Sequence, residues 1–176
     1  MVQSRGLGDV YKRQILGSLV IVFFYILLRF QKWQFSLGAV SAVFHDVLIV
    51  LGIFSLTYKI MPFNMEINQA FIAALLTVIG YSLNDTVVVF DRIREFFRIH
   101  SSWDSETTVN TALNSTLSRT LNTSLTTLIV LLAIFIFGGE SIRGFMFALI
   151  IGVMAGTYSS VFIATPIMFD SYKNKN

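Results

Sequence analysis

The 176-residue chain contains no cysteine, which removes any disulfide framework and any cysteine-ligated metal or cluster. Its two histidines, His45 and His100, are too few for a histidine-rich metal site, so neither a metal nor a cofactor is expected. Charged residues make up only 13% of the chain and sum to +3, which is no nucleic-acid footprint. Residues 1–14 are polar and lack both the apolar core and the cleavage site of a signal peptide. No internal repeat, glycine-rich phosphate loop or low-complexity tract is present.

What remains is apolar. Hydrophobic residues form 55% of the chain, mean hydropathy is +0.71, and seventeen phenylalanines exceed what a soluble core of this size would hold. They fall in long runs rather than at amphipathic spacing, as in membrane-spanning helices. The pattern predicts an all-α membrane protein with five spans over residues 15–30, 39–60, 69–91, 119–137 and 144–169, near the ~20 residues a bilayer core requires. The bundle would occupy 15–170, with a cytoplasmic tail over 171–176. The first span is short, and Lys12 and Arg13 stand directly before it. Residues 1–14 therefore read as a foreign leader or a truncation junction and are set aside.

With alternating spans, Arg29, Lys32, Arg92, Arg94, Arg98, Lys173 and Lys175 share one side, against Lys59 and Arg143 on the other. The positive-inside bias makes the first side cytoplasmic. The long connection on that side is patterned. Val109, Ala112, Leu113, Thr116 and Leu117 form one face and Asn110, Thr111, Asn114 and Ser115 the other, with Asp104, Ser105 and Glu106 at the start. An amphipathic surface helix over 105–118 is expected, as a partner docking site or a structural elbow.

Few ionisable groups lie inside the spans: His45, Asp46 and Asp85, with Arg119 at the mouth of the fourth. A carboxylate within a bilayer costs about 2.5–3.5 kcal/mol on insertion scales, so Asp85 needs a task. It lies seven residues before Arg92, roughly 10 Å deeper at 1.5 Å per residue. Burial disfavours the charged form of a carboxyl group and a nearby guanidinium favours it. Moving Arg119 toward or away from Asp85 would thus switch its proton affinity, as a proton relay requires. A static interhelical ion pair is the competing reading. Thr116, Thr120, Thr123 and Thr127 form a hydroxyl stripe beside Arg119. With Asp46 and Asn84, they are candidates for relay or for polar contacts between helices. The cluster Asp91–Arg98 reads as a solvated charged helix end. In the last span Gly144, Ala148, Gly152, Gly156, Ser160 and Ala164 recur every fourth residue, a close-packing stripe toward the bundle or a partner subunit. Pro166 would end or kink that helix.

The run Gly80-Tyr-Ser-Leu-Asn-Asp-Thr-Val-Val-Val-Phe-Asp-Arg-Ile-Arg-Glu95 resembles the signature of SecF-type subunits of the bacterial SecD/SecF family. His45-Asp46-Val47, the stretch Thr116–Thr127, and Gly138–Gly144 with Gly156–Ser160 agree with it in order. The resemblance implies a six-helix bundle of the RND (resistance–nodulation–division) superfamily, with a large extracytoplasmic domain between its first two helices. This chain corresponds to the C-terminal five-helix part. By the same resemblance, such a subunit pairs with SecD and assists the SecYEG channel and SecA in the inner membrane. It would use proton flow to move unfolded preprotein, with Asp85 and Arg119 at the positions of the family's relay aspartate and arginine. No catalytic residues are implied. Two other readings compete with this one. An RND exporter of drugs or lipids would need a second such bundle in a longer chain. An intramembrane aspartyl protease, suggested by Gly6-Leu7-Gly8-Asp9, would need two facing membrane aspartates, whereas Asp9 lies in the polar leader.

Overall fold

A computed structural model describes residues 2–173, with side chains placed from Arg13 onward except Ile15. Among the described residues every regular element is a helix: α1 (Val2–Phe30), α2 (Trp33–Thr57), α3 (Gln69–Ile99), α4 (Ser105–Phe137) and α5 (Glu140–Ser159). A π-helical turn (Ser160–Ala164) then joins α5 to α6 (Thr165–Lys173). The last three elements form one rod, so the molecule is a bundle of five. Four of the rods are long and apolar enough to cross a membrane, whereas α1 offers only the shorter apolar stretch Leu16–Phe30. Residues 2–14 are helical and continuous with the apolar stretch that follows them in α1; Met1, and the tail beyond Lys173, lie outside the described residues.

The helices run past their apolar stretches into polar sequence. A helix satisfies its own backbone in lipid and in water alike, so the end of a hydrophobic run does not terminate it. α3 continues through Asp91, Arg92 and Arg94 to Ile99, and α4 is unbroken from Ser105. The surface helix expected over 105–118 is thus continuous with the fourth span, as the start of a single 33-residue α4. Its start is held by Asp104, whose Oδ2 accepts from the Thr107 N–H at 2.9 Å. Pro166 does not end the last rod. It has no N–H to return to Phe162, and the helix widens there instead, with the Thr165 hydroxyl donating to Ser160 O at 3.0 Å. The α1–α2 turn is closed by Gln31 at φ 57°, whose N–H donates to Leu27 O at 2.8 Å.

α5 is the central rod, packed on α2, α3 and α4, while α1 lies along α2. The small-residue stripe is consumed inside the chain. Gly152 faces Val78, Gly156 lies against Ser82, and Gly144 sits over Asn64 O. A side chain at Gly152 would collide with both methyls of Val78. The partner-facing reading of this stripe is thereby replaced: without Cβ atoms, α5 approaches α3 closely. At one end Phe30, Phe35 and Phe90 form a ring cluster with centroids 5.1–5.9 Å apart. At the other, Phe54, Phe71, Leu75 and Val78 pack on Ala148. Between these apolar ends lies the polar layer.

Candidate proton-carrying site

Two buried aspartates occupy that layer. Asp46 of α2 is fully enclosed. Its Oδ2 accepts from Ser82 Oγ of α3 at 2.5 Å and from Ser159 Oγ of α5 at 2.7 Å, and His45 Nδ1 lies 3.2 Å from Oδ1. Adjacent positions on a helix diverge, yet the half-exposed His45 ring still reaches back to its neighbour. Three helices thus converge on one carboxylate.

Asp85 lies on α3 one turn beyond Ser82 and is 4% exposed. Its surroundings are poorer. Ser124 Oγ of α4 stands 3.5 Å from Oδ2, long for an O–H···O bond, whose usual range is about 2.5–3.0 Å. Ser124 is itself held, with Thr157 Oγ1 of α5 at 2.6 Å and the Tyr81 hydroxyl at 3.4 Å. A carboxyl group kept from water with one weak partner bears most of the cost of its own charge.

Arg119 does not touch Asp85. It is exposed, no ion pair joins the two, and its charge reaches the carboxylate only across space. With Asp91, Arg92, Glu95 and Thr116 it lines an open cavity of about 330 Å³ between α3 and α4, leading from the charged end of the bundle. Of the remaining expected residues, Thr116 and Thr120 are buried, Thr127 is half-buried beside Tyr81, and Asn84 and Thr123 are exposed. The buried row on α4 is Ala112, Thr116, Thr120 and Ser124. Such a fourth-residue ridge winds slowly about the helix axis, so Ser124 rather than Thr123 arrives at Asp85. Ser82, Ser124, Thr157 and Ser159 were missed from the sequence. The available signal was spacing: Ser82 is i−3 from Asp85, and Ser159 precedes a stripe residue.

A family model for the C-terminal part of the protein export membrane proteins SecD and SecF matches residues 8–174. The protein translocase subunit SecF of Rhodothermus marinus is 58% identical over 163 residues, covering 93% of this chain and 52% of that protein. SecF of Haemophilus influenzae is 45% identical over 163 residues, 93% of this chain and 47% of its own. The chain thus spans about half the length of these relatives. The crystal structure of SecDF, a translocon-associated membrane protein from Thermus thermophilus, superposes with a TM-score of 0.81 at 40% identity over 93% of this chain and 22% of that one. With nearly its whole length matched in sequence and in fold, the chain belongs to the SecD/SecF family of protein export membrane proteins, and it holds a SecF-type C-terminal membrane bundle.

Proposed function

We propose that this bundle is the proton-coupled membrane part of a SecF-like subunit of the Sec export machinery in a bacterial inner membrane, its C-terminus in the cytoplasm. Asp85 takes up and releases the proton, and movement of Arg119 toward or away from it sets when. The observation that carries this reading is the contrast between the two aspartates. Asp46 is anchored by three contacts of 2.5–3.2 Å, whereas Asp85, also buried, has one weak one. Either a proton or an approaching guanidinium relieves such a group, and that exchange is what a relay needs. The cavity carrying Arg119 offers water a polar approach from the cation-rich side.

SecD is the proposed direct partner, and SecYEG, SecA and unfolded preprotein belong to the assembled machine. An open groove of about 380 Å³ between α4 and α5 has Thr120, Ser124 and Thr157 among apolar walls of Leu121, Leu125 and Phe162. Ser124 joins this groove to Asp85, so a SecD-like bundle seated there would close the site and face the carboxylate. Asp85→Asn keeps the shape and removes the titration. In the full-length subunit it should leave assembly with SecD intact and abolish the proton-gradient-dependent part of preprotein export into inverted membrane vesicles. Export at the parent's rate would make Asp85 a structural anchor.

A further inference from the structure

The cation-rich end of the bundle holds a larger cavity, separate from the aspartate layer. It is open, about 840 Å³, and lies among the α1–α2 turn, the end of α3, the α3–α4 loop and Tyr172 of α6. Three cations line it, Lys32, Arg94 and Arg98, along with two acids, Asp91 and Glu95. The acids are already committed. Asp91 pairs with Arg29 at 2.9 Å and Glu95 with Arg92 at 2.7 Å, and neither of those arginines lines the cavity. Among the described residues, Lys32, Arg94 and Arg98 have no carboxylate within ion-pair distance. Lys32 Nζ stands 4.8 Å from the Tyr172 ring centroid, and Arg94 donates to the Arg29 carbonyl at 3.3 Å. Both heads are therefore placed without being neutralised.

The rest of the lining is mainly aromatic, with His100, Ser101 and Ser105 among the rings. Phe30 and Phe35 are 2% exposed and form the floor, whereas Trp103, at 42%, stands at the rim. The volume falls within the roughly 300–1,000 Å³ of small-molecule sites. Excess positive charge over an apolar floor, at the end of membrane helices and beside tryptophan and tyrosine, suits an anion that carries its own apolar body. Phosphate charge is the chemistry the three cations would recognise, and the apolar floor favours a phosphate joined to acyl chains. We propose that this cavity binds the phosphate-bearing headgroup of an anionic phospholipid, with Lys32, Arg94 and Arg98 supplying the charge. The cavity shares Asp91 and Glu95 with the one that carries Arg119, but neither Arg119 nor Asp85 lines it.

The test uses the purified chain in uncharged detergent, titrated with dioctanoyl phosphatidylglycerol, dioctanoyl phosphatidylcholine or inorganic phosphate. Bound lipid is read by native mass spectrometry and stabilisation by thermal shift. One phosphatidylglycerol should bind saturably and phosphatidylcholine much more weakly. Each cation near an anionic headgroup contributes about fivefold, so Lys32→Gln/Arg94→Gln/Arg98→Gln should weaken binding on the order of 100-fold. Should the triple variant fail to fold, Arg98→Gln alone, exposed and unpaired, should weaken it about fivefold. Equal phosphatidylglycerol binding by parent and variants, or equal binding of the two lipids, overturns the proposal. Inorganic phosphate reproducing the full thermal shift would assign the cavity to a free anion and overturn the lipid reading.

Discussion

Ser82 has two duties. Its Cβ is the surface on which Gly156 rests, and its hydroxyl donates to Asp46 at 2.5 Å. Ser82→Ala separates them, because it keeps the Cβ and removes only the donor. Hydrogen bonds to charged groups contribute about 1.5–3 kcal/mol in water-soluble proteins and nearer 0.6 kcal/mol for polar contacts in membrane helices. Ser82→Ala should therefore lower bundle stability by about 1–2 kcal/mol, read as denaturation in mild detergent. The same substitution should leave proton coupling largely intact, since Asp85 draws its contact from Ser124. A stability equal to the parent's would mean that the Ser82–Asp46 bond contributes nothing to the packing of α2 on α3. Asp85 was legible in the sequence as a lone carboxylate in an apolar run. Its partner was not. Five of the eight residues from Thr120 to Thr127 carry hydroxyls, and which of them faces inward depends on how α4 winds across its neighbours.

Among the elements, α3 and α5 meet through glycine, and the fit leaves no slack. Gly152→Ala places a methyl where Val78 already stands, and overpacking of this kind costs about 1–3 kcal/mol. The loss should appear in the isolated chain with no partner present, which distinguishes packing within the bundle from packing between subunits. An unchanged melting temperature would contradict the α3–α5 register. The start of α4 makes a different prediction. The backbone N–H of Thr107, donating to Asp104, holds that carboxyl below the usual carboxylate range. A depressed pKa means the cap stabilises above the unfolded-state value of about 3.9 and is lost as pH falls through the folded value. Asp104→Ala should therefore raise hydrogen exchange of the Thr107 and Thr108 amides at neutral pH. The difference from the parent should shrink as pH falls below about 4. The existence of the spans was legible because apolar runs have the length a bilayer demands. Their ends were not, because α3 and α4 run on through charged and hydroxylated sequence, and the π turn before Pro166 keeps the last rod whole.

At the scale of the whole molecule, the cations separate as the sequence suggested. Arg29, Lys32, Arg94 and Arg98 gather at the end of the bundle that includes Tyr172, while Lys59 and Arg143 belong to the opposite end, where Gly144 meets Asn64. Of the four long apolar rods α4 is the least covered, with Leu121, Leu125 and Ile129 each more than half exposed. That face runs along the groove holding Ser124, so the surface left for lipid or a partner bundle is also the one nearest the under-bonded carboxylate. The relay proposed above requires that protons pass only when Asp85 can titrate. The most direct measurement is proton influx into proteoliposomes that hold the full-length SecF-type subunit with its SecD partner, followed with an entrapped pH dye under an imposed gradient. Influx should fall to the protein-free background in Asp85→Asn and persist in Ser82→Ala. Equal influx by the parent and Asp85→Asn would contradict the account.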